Sequence, residues 1–363
     1  MAKPQYKRTR KSDPTRKPRR AAAASPSKAN VAAKTDKVER ETAPRKAPSI
    51  ELPPRRKYSG ARLAEQTGIV LESLPTADYA LLDSGGGEKL ERYGNLTIRR
   101  PEGQAIWQKL LPEAEWKNAD AIFTGDTDEE GQGRWQYPHK QLDETWPLAF
   151  DGLPYYGRFT SFRHTGVFPE QAAHWHALQK AIATADRPIR MLNLFGYTGL
   201  ASLVGARAGA EVTHVDASKK AIGWAKDNQE LAGLQDSPIR WICDDAVKFC
   251  AREERRGKTY DVILLDPPAY GRGPKGEVWQ LFDHLPYMLD LVRALQSERP
   301  LMTVLTSYAI RASHFAIHEI MQEVFAGMDG RIESGELILR QKQGGRAIST
   351  SMFSRYVAPE CAT

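Results

Sequence analysis

Four acidic residues stand at the ends of short apolar runs, the place where a doubly wound sheet offers side chains to a ligand. Asp216 closes "EVTHVD", Asp244 and Asp245 follow "IRWIC", and Asp266 closes "YDVILLD". A further run, "RPIRML", leads into "NLFGYTGLAS", residues 193–202. There Gly196 and Gly199 permit close backbone approach, and Tyr197 and Thr198 offer N–H groups and a hydroxyl. Asp216, 17 residues past Gly199, can accept two hydrogen bonds from ribose hydroxyls. Asp245 can accept from an adenine amino group. In "DPPAYGRG", Pro267 and Pro268 stiffen the loop, Asp266 can bond a base amino or imino group, and Tyr270 can stack on a splayed-out base. Arg272, flanked by Gly271 and Gly273, can approach a phosphate. Each feature also has an ordinary structural use: the glycine stretch as a plain strand-to-helix turn, Asp266 as a strand cap, Tyr270 as a packing residue.

The elements that must carry these residues alternate. From about Pro188, strand-like runs ("IRMLNLF", "EVTHVD", "IRWIC", "YDVILLD", "LMTVLTS") are separated by helical stretches. Ser218 caps one helix and Gly233 stops it, while Pro286 is expected to open the helix "PYMLDLVRALQS". This pattern implies a mostly parallel, doubly wound α/β sheet of seven strands. The last two strands, around "KQGGRA", have no helix between them and must run antiparallel. Residues 58–163 read instead as a small β-rich domain, with two strands around Gly85–Gly87 and with Trp107, Trp116, Trp135 and Trp146 in its core. The expected organisation is a disordered basic arm (1–57), the β-rich domain (58–163) and the α/β domain (164–363).

Four polar strand ends around one point suit an adenosine. A dinucleotide would also need a glycine pattern that cradles pyrophosphate, and GxGxxG is absent. A terminal hairpin likewise differs from a dinucleotide-binding domain. S-adenosylmethionine (SAM), which carries adenosine without phosphate, is the remaining candidate. The three cysteines show no CxxC pair and no regular spacing, and His174 and His176 are too close in sequence to form a ligand set, so neither a disulfide framework nor a metal is expected.

The set "NLFGYTGLAS", "VDASKKAIGWAKDN", "DDAVKF" and "DPPAYGRG" resembles motifs I to IV of class I SAM-dependent methyltransferases. More narrowly, "FTSFRHTGVFPEQAAHW" and "ERYGNL" resemble segments of the bacterial 23S ribosomal RNA methyltransferases that act on cytosine C5 or guanine N7. The resemblance covers about residues 75–357. It implies cofactor contacts at Phe195, Gly196, Tyr197, Thr198, Gly199, Asp216 and Asp245, with Gln171, Asn193, Ala217, Asp244, Ala246 and Asp266 around them. Asp266, Pro267, Pro268 and Tyr270 become the catalytic set, and Arg272 and Ser307 the contacts to substrate RNA. Three departures matter. The cytosine-C5 enzymes begin with a separate RNA-binding module, in whose place this chain has the basic arm. The cytosine-C5 enzymes carry a cysteine after the fifth strand, where this chain has "LTSYAIR" around Ser307. C5 of cytosine is a poor nucleophile until a thiolate adds to the ring, so a base nitrogen is the expected target. Amine methyltransferases also place an aromatic residue directly after the prolines. Here Ala269 intervenes before Tyr270, and a guanine nitrogen such as N7, which needs no general base, fits at least as well.

Charge separates the arm from the rest. Residues 1–57 hold 18 Lys+Arg and 5 Asp+Glu, a net of +13 against +7 for the whole chain, so residues 58–363 sum to −6. The arm is too poor in large apolar residues to fold alone and is read as a polyanion-binding segment. No apolar leader or run of 18 apolar residues occurs, which with the cysteine usage leads to an expected cytoplasmic location, or an organellar one if the arm is a transit peptide. Alternatives to an RNA methyltransferase are a small-molecule or protein methyltransferase of the same fold, or a non-catalytic RNA-binding assembly factor.

Overall fold

The computed structural model describes residues 52–125, 133–308, 310 and 312–361, so residues 1–51 of the expected arm lie outside the described residues. The end of that arm is anchored. Arg55 Nε donates to Asp290 Oδ2 at 2.9 Å, Arg56 pairs with Glu254 at 2.7 Å, and the Tyr58 hydroxyl donates to Asp290 Oδ1 at 3.2 Å. Asp290 is fully buried, and a buried carboxylate needs such partners. Arg55 and Arg56, within the expected arm, are thereby tied to the folded chain.

Strand β1 (Ala64–Ser73) comes first, then β2 (Tyr79–Gly85), β3 (Glu88–Tyr93) and β4 (Leu96–Pro101). Helix α1 (Glu113–Lys117), β5 (Ala121–Gly125), β6 (Gly133–Gln136) and the hairpin β7 (Thr145–Phe150) and β8 (Leu153–Arg158) follow. Strands β2 to β6 form one sheet in sequence order, antiparallel except between β4 and β5. The stretch around Gly85–Gly87 holds three strands where two were expected. Gly94, with φ of 60°, turns β3 into β4. Trp116 and Trp146 are buried, whereas Trp107 and Trp135 are only partly buried against the core; Trp116 donates from Nε1 to the buried carboxylate of Asp83 at 3.1 Å.

The second part runs α2 (Ala172–Thr184), β9 (Arg190–Leu194), α3 (Leu200–Arg207), β10 (Glu211–Asp216), α4 (Lys219–Leu231), β11 (Ile239–Cys243), α5 (Ala246–Arg255) and β12 (Val262–Leu265). A small hairpin, β13 (Tyr270–Arg272) and β14 (Val278–Gln280), precedes α6 (Leu281–Ala294). Then come β15 (Met302–Tyr308), α7 (His314–Phe325), β16 (Arg331–Arg340) and β17 (Ala347–Val357). The large sheet has the order β1-β16-β17-β15-β12-β9-β10-β11. All of its pairs are parallel except those of β17 with β15 and β16, as the helix-free connection required.

The sheet has eight strands rather than seven. The addition is β1, which lies far from β16 in sequence and gives no local sign of pairing with it. Alternation along the strands explains why both faces are covered. Met191, Val262 and Leu264 pack with α2, α3 and the inner residues of the small sheet, while Leu192, Leu194, Ile263 and Leu265 pack under α5, α6 and α7. Tyr93 and Trp146 of the β-rich segment thus share one apolar core with Leu178 and Leu203. Helix α6 begins at Leu281, with Pro286 inside it, not at Pro286. The bond lost at Pro286 is offset by burial of Leu281, Leu285, Met288, Leu289 and Val292 along the helix. No helix among the described residues is long and apolar enough to cross a membrane.

Candidate active site

The loop after β9 is held in an unusual backbone shape. Phe195, Tyr197 and Gly199 have φ of 58°, 50° and 82°, a left-handed conformation that is costly for the two aromatic residues. Asp216, at the end of the neighbouring strand β10, stabilises it. Its Oδ2 accepts from the Tyr197 N–H at 2.9 Å and its Oδ1 from the Ser218 N–H at 2.8 Å. Gly196 is required for a reason different from ligand approach. A Cβ there would lie 2.3 Å from His214 Cε1 and 2.9 Å from Asn193 Nδ2, so the glycine lets the loop sit on that buried pair.

A cavity of about 490 Å³ opens where β9, β10, β11 and β12 end. Of the sequence-predicted residues, Phe195, Tyr197, Asp216, Ala217, Asp244, Asp245 and Ala246 line one part of it. Gln171, Asp266, Pro267, Pro268, Tyr270 and Arg272 line it as well. A second cavity of about 70 Å³ lies beneath the loop and takes in Asn193, Gly196 and Thr198. Two residues line neither. Gly199 caps α3, and a Cβ on it would press on Trp241 and Ala225. Ser307 is fully buried within β15, and its neighbour Tyr308 faces the larger cavity instead. Side chains alternate along a strand, so a one-residue step separates wall from core.

Several of the acids are already engaged. Asp245 caps α5 by accepting from the Lys248 N–H at 2.9 Å, and Asp244 pairs with Arg252 at 2.8 Å. Burial raises the carboxyls of both Asp216 and Asp245 above their ordinary range. Asp266 is pushed up to about 7, first by burial and then by the nearby Glu170 carboxylate, while a hydrogen bond from Gln171 opposes the shift. Glu170 is itself raised, chiefly by burial. The site thus holds the buried Glu170 carboxyl near the half-buried Asp266, which is poised to change charge near neutral pH.

An aromatic part of the lining was missed in the sequence: Phe162, His164, Phe168, Trp279 and Tyr308 line the same cavity. Phe168 lies 5.1 Å from the His164 ring, 5.8 Å from Tyr197 and 6.4 Å from Tyr308. Burial, then the charges of Arg100, Arg163 and Lys89, hold His164 down at about 3, so it is neutral. The aromatic density of "GRFTSFRHTGVF" was a signal, but nothing local says that Phe168 packs against both Tyr197 and the far more distant Tyr308. Tyr270 and Phe162, 41% and 40% exposed, stand at the opening, with the Arg272 guanidinium 5.9 Å from the Tyr270 ring. Trp279 Nε1 donates to the Pro268 carbonyl at 2.7 Å and fixes the proline loop to the β13–β14 hairpin. None of the three cysteines lines the cavity, and no cluster able to hold a metal occurs among the described residues.

No family model matches the chain. A solved SAM-dependent methyltransferase from Agrobacterium tumefaciens is 58% identical to it, with a TM-score of 0.81, covering 84% of this chain and 97% of that one. Curated relatives are more distant. Ribosomal RNA large subunit methyltransferase K/L of Shewanella baltica is 33% identical over 179 residues, 47% of this chain and 23% of that protein. Ribosomal RNA large subunit methyltransferase I of Aeromonas salmonicida is 36% identical over 107 residues, 29% of this chain and 26% of that protein. The chain therefore spans about a quarter of the length of these curated relatives. With a near-complete match to the Agrobacterium enzyme and strand ends arranged around one cavity, the chain belongs to the class I SAM-dependent methyltransferases.

Proposed function

We propose that the protein methylates a base nitrogen of RNA, with large-subunit ribosomal RNA as the substrate class. The observation that carries this reading is the make-up of the cavity: its lining combines strand-end carboxyls with the exposed rings of Tyr270 and Phe162 and the Arg272 cation. The names of the Shewanella and Aeromonas relatives support the ribosomal substrate, and the basic arm of residues 1–57 supports a polyanion.

The residues present fit SAM. A volume of about 490 Å³ is in the range of small-molecule sites, and Asp216 retains lone pairs beyond its two loop bonds for ribose hydroxyls. Asp245 and Ala246 would lie against the adenine, and Phe195 to Thr198 against the rest of the cofactor. Bound there, SAM supplies an electrophilic methyl group. The chain's own work is alignment and exclusion of water. Tyr270 and Phe162 would stack on an unpaired base, worth about 1–3 kcal/mol per base. Asp266, held by Gln171, would orient the base through an amino or imino group, and Arg272 would hold a neighbouring phosphate. The lack of a cysteine on the wall disfavours C5 chemistry, which needs a thiolate.

The test is to incubate the purified chain with labelled SAM and ribosomal RNA from cells lacking the gene, then map the modified nucleotide. One new methylated base nitrogen is expected. Transfer to a protein or small molecule alone, or transfer that is indifferent to salt and to deletion of residues 1–51, would refute the RNA reading.

A further inference from the structure

We propose that His174 recognises the amino-acid tail of the cofactor and so makes the site distinguish nucleosides that carry this tail from those that lack it. The inference rests on the cofactor reading above and deepens it.

The small cavity beneath the loop shares Phe168, Gln171, Phe195, Tyr197 and Asp266 with the larger one. An adenosine held near Asp216 and Asp245 would direct its 5′ substituent toward this shared wall. The polar side chains around the small cavity are nearly all engaged. Gln171 donates to Asp266 at 3.2 Å and accepts from Thr306 at 3.4 Å. Asn193 donates to Ser202 at 2.9 Å, and Thr198 to the Gly166 carbonyl at 2.7 Å. His174 is the exception. It is 2% exposed, and neither of its ring nitrogens has a hydrogen-bond partner among the described residues.

Such a group is costly unless it meets a ligand or water. Its orientation is fixed, because it sits on α2 with its ring edge-on to Phe353 at 5.0 Å. Burial keeps the imidazole far below its usual value, at about 3, so at neutral pH it offers one N–H donor and one bare nitrogen. The two ring nitrogens point in divergent directions, so one α-amino acid tail meets one of them: its carboxylate accepts from the N–H, or its ammonium donates to the bare nitrogen. The tail has no net charge, which suits a small and largely apolar chamber. A water molecule could also occupy the site, but it would give no discrimination between nucleosides.

The experiment measures binding of two nucleosides to the full chain by calorimetry. S-adenosylhomocysteine carries the tail; 5′-methylthioadenosine has the same adenosine and thioether without it. His174→Leu is expected to weaken S-adenosylhomocysteine by about tenfold or more, since a hydrogen bond to a charged group is lost, and to leave methylthioadenosine within about twofold. His174→Phe, which keeps the ring volume, should behave alike, and His174→Gln should recover part of the loss. Retained methylthioadenosine binding shows that the pocket is intact. Equal weakening of both ligands, or unchanged S-adenosylhomocysteine affinity, overturns the inference. If the unsubstituted chain binds neither nucleoside, the cofactor reading itself fails and His174 falls with it.

Discussion

Gln171 Nε2 donates to Asp266 Oδ2 across 3.2 Å, joining the turn before α2 to the end of β12, 95 positions later. The bond orients the carboxyl that faces the centre of the site, and it works against the burial and the Glu170 charge that favour protonation.

The Asp266 carboxyl couples its protonation to the stability of the fold. Its folded value of about 7 lies above the unfolded value of about 4. Stability from the protonated form is therefore fully present below the unfolded value and is lost as pH rises through about 7. Asp266→Asn removes the titration. Melting temperatures at pH 5 and pH 8 should show a smaller drop for the variant than for the unsubstituted chain; parallel profiles would show that Asp266 titrates as an ordinary surface acid.

Gly196 and His214 make a steric pair. Gly196→Ala places a methyl group 2.3 Å from His214 Cε1 and should destabilise the fold by about 1–3 kcal/mol in urea melts. Adding His214→Ala should recover part of that loss. A strictly additive double-mutant cycle would mean that the two side chains do not meet.

Asp216 holds the Tyr197 and Ser218 N–H groups, and so supports a residue with φ of 50°. Asp216→Ala should weaken S-adenosylhomocysteine by about tenfold or more, because the loop loses its anchor and the ribose its acceptor. Asp216→Asn, which keeps an acceptor oxygen, should lose less. Titration calorimetry decides the matter, and unchanged affinity in the alanine variant would remove Asp216 from the site.

At the opening, Tyr270→Ala should raise KM for RNA by about 5- to 150-fold, the range of one lost base stack. S-adenosylhomocysteine affinity should stay within about twofold. A loss confined to the nucleoside would place the ring against the cofactor instead.

Much of the catalytic half was legible in the chain. Strands β9, β10, β11 and β12 and the acids at their ends follow from local apolar runs and turn residues. The antiparallel closing pair followed from a connection too short for a crossover. These are effects of neighbours along the chain, and the residue types alone encode them.

Other features needed the fold. Tyr308 rather than Ser307 faces the cavity because the pleat decides which side a residue takes. Gly196 is required by His214, which approaches from the next strand. The Arg163 guanidinium reaches the Tyr308 hydroxyl at 2.5 Å across 145 positions, bringing the segment that carries the aromatic wall to the end of β15. Among the described residues, strand β1 joins the large sheet through β16, its distant partner. The sequence by itself determined the periodicity, the strand-end acids and hence the kind of ligand. Only the tertiary structure decided which side chains share a wall, because those contacts depend on packing between segments whose separation along the chain carries no local signal.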